Sequence, residues 1–206
     1  MSYEKNPETI ELGSFEIITK ELKEKNIVIN EAYGPVIKRV IHTTADFEYG
    51  KLFKCHPDAM ASGIAALKNG AKIYTDTNMI KSGLNSQRLG CEIVNYVHDA
   101  DVKVKAKAES ITRSMAAIEK AVNENIKIFA IGNAPTALFK IIELIKKDVI
   151  HPDLIIGVPV GFVGAAESKE ELMKLNIPWI SIKGRKGGSP VAVSIINGLY
   201  KMSLMD

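Results

Sequence analysis

The 206-residue chain has only two cysteines, Cys55 and Cys91, far apart and in no CxxC arrangement. Neither has a second Cys or a His at metal-ligand spacing, which excludes a disulfide-stapled scaffold and argues against a zinc site. Aromatic residues make up only 6%, with a single tryptophan, so there is little on which nucleic-acid bases would stack. Charge of one sign is also scarce. The 27 Lys and Arg residues face 24 Asp and Glu, a net +3 spread along the chain, too small and too dispersed for a nucleic-acid stripe. No run approaches the ~20 uncharged apolar residues a membrane-spanning helix needs, and Met1–Pro7 has no signal-peptide core. With two free thiols, these absences lead us to expect a cytoplasmic protein without membrane partners. The nucleotide signatures are missing too: Gly157, Gly161 and Gly164 are spaced GxxxGxxG rather than GxGxxG, and no GxxxxGK[ST] occurs.

What is present is ordinary globular material, 46% hydrophobic and 25% charged, long enough for one domain spanning 1–206 with a core that needs no staples. Lys72–Thr75, Glu92–Val97, Lys127–Ile131, Asp153–Gly157 and Trp179–Ile182 are short, apolar and rich in β-branched residues. Segments of 3.6-residue apolar spacing separate them, such as Leu138, Ile141, Ile142 and Ile145. Short apolar strands alternating with helices predict an α/β fold, a parallel sheet of about five strands covered on both faces. Two extra helices precede the first strand. One opens at Pro7 with the stripe Ile10, Ser14, Ile17, Ile18; the other opens near Pro35 and carries Arg39 and His42.

Ligands of such sheets bind beyond the carboxyl ends of the strands. Three loops there are rich in small residues: Gly132–Ala137, Gly157–Lys169 and Gly184–Ser189. Loops of this kind expose backbone N–H groups at helix starts, which suits anions, and let a large flat ligand approach. Glycine in any one of them also serves simple turn geometry. Arg39, Arg113 and Arg185 offer forked hydrogen bonds to carboxylates. Among the four histidines, His56 and His151 precede proline and read as turns entering helices, and His98 reads as a strand-end loop. His42 lies three residues after Arg39 and shares its helix face, so it can exchange a proton with an acid held by that arginine. Asp46 would hold the imidazole if the helix runs that far; a plain surface histidine is the alternative.

Taken together, Ser14–Ile18, Lys38–His42, Thr75–Met79, Thr112–Ser114, Gly132–Phe139, Gly157–Lys169 and Gly184–Ser189 resemble the precorrin-8X methylmutase family, including its cobalt-precorrin-8 branch. The resemblance runs from about Ser14 to Asn197. It implies a flavodoxin-like three-layer α/β/α fold and a homodimer. It also implies an isomerase of cobalamin biosynthesis that moves a methyl group from C11 to C12 of a corrin precursor. No cofactor is implied, since any cobalt arrives inside the macrocycle. The family's catalytic histidine falls on His42, and its substrate-binding serine and arginine on Ser14 and Arg39. Thr75, Arg113 and the loop with Gly157, Gly161 and Gly164 are further implied contacts with the polycarboxylate substrate. The Lys- and Ile-rich composition, of anaerobic or thermophilic style, inclines the reading to cobalt-precorrin-8 giving cobyrinate. Metal-free precorrin-8X giving hydrogenobyrinate, or a corrinoid-binding protein without catalysis, are the alternatives.

Overall fold

The structure, a computed structural model, describes residues 4–205. The opening Met1–Tyr3, read above for a leader, lies outside them. Six strands form one sheet: β1 (Phe53–Cys55), β2 (Ile73–Thr75), β3 (Ile93–Val94), β4 (Ile128–Ile131), β5 (Leu154–Gly157) and β6 (Trp179–Ile182), in the order β1-β6-β5-β4-β2-β3. The five strands expected from their apolar runs are all present and parallel to one another. Ile128, Leu154, Ile156 and Ile180 have almost no exposed surface, as a sheet covered on both faces demands. Each such side chain contributes about 1.5–3 kcal/mol of burial.

Two differences from expectation concern the sheet. β1, antiparallel to β6 at the edge, was not foreseen. Its three residues, Phe53, Lys54 and Cys55, carry no periodic signal of their own. β3 is only Ile93–Val94, rather than the run to Val97, because the Asn95 side chain turns back to donate to the Thr75 carbonyl.

One face of the sheet is covered by α2 (Gly34–Thr44), α4 (Ala59–Lys68), α5 (Asn78–Gly83) and α11 (Ser189–Ser203). The other is covered by α7 (Ala100–Ala108), α8 (Arg113–Ala121), α9 (Pro135–Lys146) and α10 (Ala165–Met173). The short α3 (Tyr49–Leu52) and α6 (Ser86–Leu89) belong to the first layer. α1 (Pro7–Glu24) lies outside that layer, against α2. Asn6 caps it by accepting from the N–H groups of Glu8 and Thr9, with Pro7 at the first helical position.

The stripe expected to face the core is only partly the buried one. Ile18 and Leu22 are buried, whereas Ile10 and Ile17 are 47% and 59% exposed. A helix packed outside the layer has one neighbour to cover it, so the rest of its apolar surface stays open. His151 differs as well: it leads through Pro152 into strand β5, not into a helix, while His56 does precede α4, where its Nδ1 accepts from the Asp58 N–H.

Candidate active site

Chain order reverses between β2 and β4, so the crevice between their carboxyl ends is where doubly wound sheets place ligands. Here that crevice is closed by a side chain of the protein. Asp76, directly after β2, is 3% exposed, and its carboxylate accepts from the backbone N–H groups of Gly132, Asn133 and Ala134 at 2.9, 2.8 and 2.7 Å. Burial pushes the carboxyl up from its ordinary range, and the three amides pull the other way. Three donors and no acceptor facing it match an ionised group. The anion position in front of α9 is therefore filled from within, which agrees with the missing nucleotide motifs. Next to it, the hydroxyls of Thr77 and Ser189 meet at 2.9 Å and tie β2 to the start of α11.

His42 sits in the last turn of α2, exposed to solvent and stacked on Phe15 of α1, with ring centroids 5.4 Å apart and 17° between planes. Its ring nitrogens make no hydrogen bond within the described residues. Arg39, one turn earlier, lies over the same Phe15 ring at 4.9 Å and pairs with Glu11 at 2.5 Å. Ser14, half-buried on α1 beside Phe15, donates its hydroxyl to the Ile10 carbonyl and keeps its lone pairs free. Ser14, Arg39 and His42 thus gather where α1 crosses α2. Asp46 does not hold the imidazole. α2 ends at Thr44, Ala45 adopts a left-handed conformation, and the turned chain delivers Asp46 to Lys186 instead. That ion pair, which Glu48 joins at 2.5 Å, holds the Asp46 carboxyl below its usual range and brings the end of α2 against the β6–α11 loop, at the carboxyl edge of the sheet.

The remaining candidates are distributed. Arg113 is exposed at the first position of α8 in the opposite layer, where the Thr112 and Thr136 hydroxyls, 2.9 Å apart, fix the start of α8 beside that of α9. It therefore borders the same edge from the far side. Thr75 is fully buried within β2, and its hydroxyl donates to the Val94 carbonyl. Gly157 is buried at the end of β5, where a Cβ would come within 2.4 Å of Leu172; close helix packing accounts for it. Gly161 and Gly164 lie in the β5–α10 loop at φ +153° and +77°. That loop presents Phe162 and Val163, 82% and 90% exposed, and Arg185 from the neighbouring loop lies 5.4 Å from the Phe162 ring. Beneath, Lys169 is wholly buried and donates to the Lys186 carbonyl at 2.7 Å, and burial lowers its pKa to about 8. Asp76, Lys169 and Lys186 escaped the sequence reading. The one available signal was an acid placed right after a strand, opposite a Gly-Asn-Ala turn.

A groove of about 460 Å³ runs down from this edge between α2, α5 and α11. Thr43, Met79 and Pro190 line it together with the cations Arg39, Arg88 and Lys201. Among the described residues, no three His, Cys, Asp or Glu side chains gather as a metal site would require.

The molecule is thus a three-layer α/β protein whose carboxyl edge combines exposed apolar loop residues, several cations and an open imidazole. Residues 9–202 match the precorrin-8X methylmutase family, and the chain belongs to it. It is 48% identical over 197 residues to the cobalt-precorrin-8 methylmutase of Priestia megaterium, covering 94% of this chain and 87% of that one. The cobalt-precorrin-8 methylmutase of Leptospira interrogans is 46% identical over 206 residues, covering 94% and 93%. Among solved structures, the precorrin-8X methylmutase of Thermus thermophilus superimposes with a TM-score of 0.87 at 37% identity, covering 95% and 96%. The chain is accordingly an isomerase that works by an intramolecular methyl shift.

Proposed function

We propose that this methylmutase moves the C11 methyl group of cobalt-precorrin-8 to C12, giving cobyrinate, with His42 as the group that lends and recovers a proton. The observation that carries the role is the placement of His42. It is exposed at the carboxyl edge, with both ring nitrogens uncommitted among the described residues, and is held there by stacking on Phe15. In the shift the C11–methyl bond breaks as the C12–methyl bond forms, and the π electrons rearrange within the macrocycle, so no oxidant or reductant is consumed. Protonating a conjugated position draws electron density from C11 and eases migration; the imidazole takes the proton back afterwards. Arg39 and Arg113 flank the edge from its two layers and suit the acid fringe of the substrate. Phe162 and Val163 offer apolar surface to its flat face. Ser14, its proton given to the Ile10 carbonyl, can accept a hydrogen bond beside Phe15. Thr75 and Gly157 act from beneath, by shaping the strand ends, while Gly161 and Gly164 let the β5–α10 loop bend toward the ligand.

The cobalt form is favoured by the names of the two curated relatives at 48% and 46% identity, whereas the solved structure at 37% is named for precorrin-8X. The protein needs no cofactor of its own in this reading, since the metal belongs to the substrate. A homodimer in the cytoplasm completes the proposal. Ile10, Leu12 and Ile17 on α1, exposed by 47%, 66% and 59%, offer a second copy an apolar face.

The test is anaerobic incubation with cobalt-precorrin-8, followed by visible spectroscopy and by mass spectrometry of the extracted pigment. A spectral change at constant mass is expected. His42→Ala should abolish it while leaving corrinoid binding within a few-fold, and wild-type-like turnover in that variant would refute the role of His42. Turnover of the metal-free substrate alone would overturn the cobalt assignment. A reversible shift with no product from either substrate would leave a carrier.

A further inference from the structure

The groove between α2, α5 and α11 holds more cation than the reaction centre at His42 requires. Arg39 and Lys201 share one carboxylate, that of Glu11, at 2.5 and 2.7 Å. Arg88 lies over the Tyr200 ring at 5.1 Å and makes no ion pair among the described residues. Among the described residues that line the groove, three cations thus face a single acid. On the groove wall, Ser194 is buried and spends its hydroxyl on the Val191 carbonyl, while the half-buried Asn197 amide has no hydrogen-bond partner in the described residues. Met79, Pro190 and Val193 supply an apolar lining. Pro190 and Lys201 are eleven residues apart on α11, a helical rise of roughly 16 Å. The groove is therefore long enough for the edge of a macrocycle but too narrow in volume for all of it.

We propose that this groove is a carboxylate subsite in which Arg88 and Lys201 join Arg39, and that Glu11 is a built-in carboxylate which an acid group of the ligand replaces. Lys201 and Arg39 already hold the Glu11 carboxyl below its usual range, so it is ionised whenever the ligand arrives. The ligand's acid competes with it for Arg39 and Lys201, and Arg88 supplies the charge that tips the exchange. The class of ligand is a molecule with an apolar body and peripheral carboxylates. Its identification as a corrinoid rests on the function proposed above.

Two probes separate the failure of this subsite from failure of the isomerase reading. With the substrate, Arg88→Gln and Lys201→Gln should each raise KM about tenfold with kcat falling less than threefold, the effect of one charge-assisted contact. Glu11→Gln should do the opposite and tighten binding several-fold. A purely structural Glu11 would instead weaken binding or leave it unchanged when neutralised. With citrate as a small polycarboxylate, the thermal midpoint of the wild type should rise, that of Glu11→Gln should rise further, and that of an Arg88→Gln/Lys201→Gln double variant should stay flat. Equal citrate shifts in the wild type and the double variant would overturn the subsite, whatever the enzyme does with corrinoids. Citrate shifts as expected, together with no turnover of any corrinoid, would keep the subsite and remove the corrinoid.

Discussion

Replacing Asp76 by Ala should cost the fold several kcal/mol, although its carboxylate serves only one loop. Its carboxylate, 3% exposed, accepts from three backbone amides, those of Gly132, Asn133 and Ala134, at 2.7–2.9 Å. Hydrogen bonds to a charged group are worth about 1.5–3 kcal/mol each, and burying the charge offsets part of that sum. The net loss is then about 3–5 kcal/mol, close to the value for removing one partner of a buried ionic contact. For a chain of this size each kcal/mol lowers the melting midpoint by about 2–4 °C, so a fall of about 10 °C is expected by calorimetry. Asp76→Asn keeps the volume but turns an NH2 group toward three donors, and it should be nearly as damaging. The emptied position in Asp76→Ala also becomes a receptor for a small anion. Formate binding at about 1 mM would return about 2.7 kcal/mol at 100 mM, with no comparable gain in the wild type. A loss below 1 kcal/mol, or an Asn variant equal to wild type, would show that shape rather than charge matters there. Formate stabilising both proteins alike would refute the internal-anion argument.

Two further outcomes follow from the loops beside it. Lys169 has a folded-state pKa of about 8 against 10.5 for the free side chain, so its buried charge is penalised below about pH 8. That penalty, about 3 kcal/mol, is relieved as pH rises from about 8 to 10.5, where the unfolded chain still binds the proton. Urea midpoints should therefore climb over this window in the wild type relative to Lys169→Met. Burial raises the Cys55 and Cys91 thiols and works in the opposite direction, but equally in both proteins, so parallel curves would remove the lysine from the account. Gly187 has φ +153°, and a Cβ on it would lie 2.1 Å from the Val158 carbonyl oxygen. Gly187→Ala should cost at least about 3 kcal/mol in chemical denaturation, from strain plus overlap with backbone, and a change within 1 kcal/mol would contradict the loop geometry.

How far the sequence could be read depended on where each residue keeps its signal. The five parallel strands were legible because a strand buried on both faces must be a continuous apolar run, as in Ile128–Ile131 and Leu154–Gly157. β1 was not, since three residues paired at an edge need only Phe53 to be apolar. The shared face of Arg39 and His42 followed from helical spacing, and their meeting with Ser14 was carried by family resemblance rather than periodicity. The partner of Asp46 was misjudged because nothing in Thr44-Ala45-Asp46 marks Ala45 as left-handed. Asp76 was quoted within a motif yet given no role: a carboxylate reveals its burial only when the strand order is known. The same holds for Lys169, a cation on an otherwise polar helix whose depth is set by the loop above it.

The attachment of α1 bears on the molecule's motion. This helix buries only Ile18 and Leu22 and packs chiefly on α2, whereas α2 buries Val36, Ile37, Val40 and Ile41 against the sheet layer. With so little surface holding it within one copy, detaching α1 is among the cheapest sub-global openings of the lone protomer, and its amides there should exchange with solvent well before those of α2. Phe15 and Glu11 both ride on α1. Each such opening would therefore unstack the imidazole of His42 and release Arg39 from its acid in one event, with the sheet and its loops left standing. The proton-handling and anion-binding groups would share a single clock, set by how often an outer helix lets go.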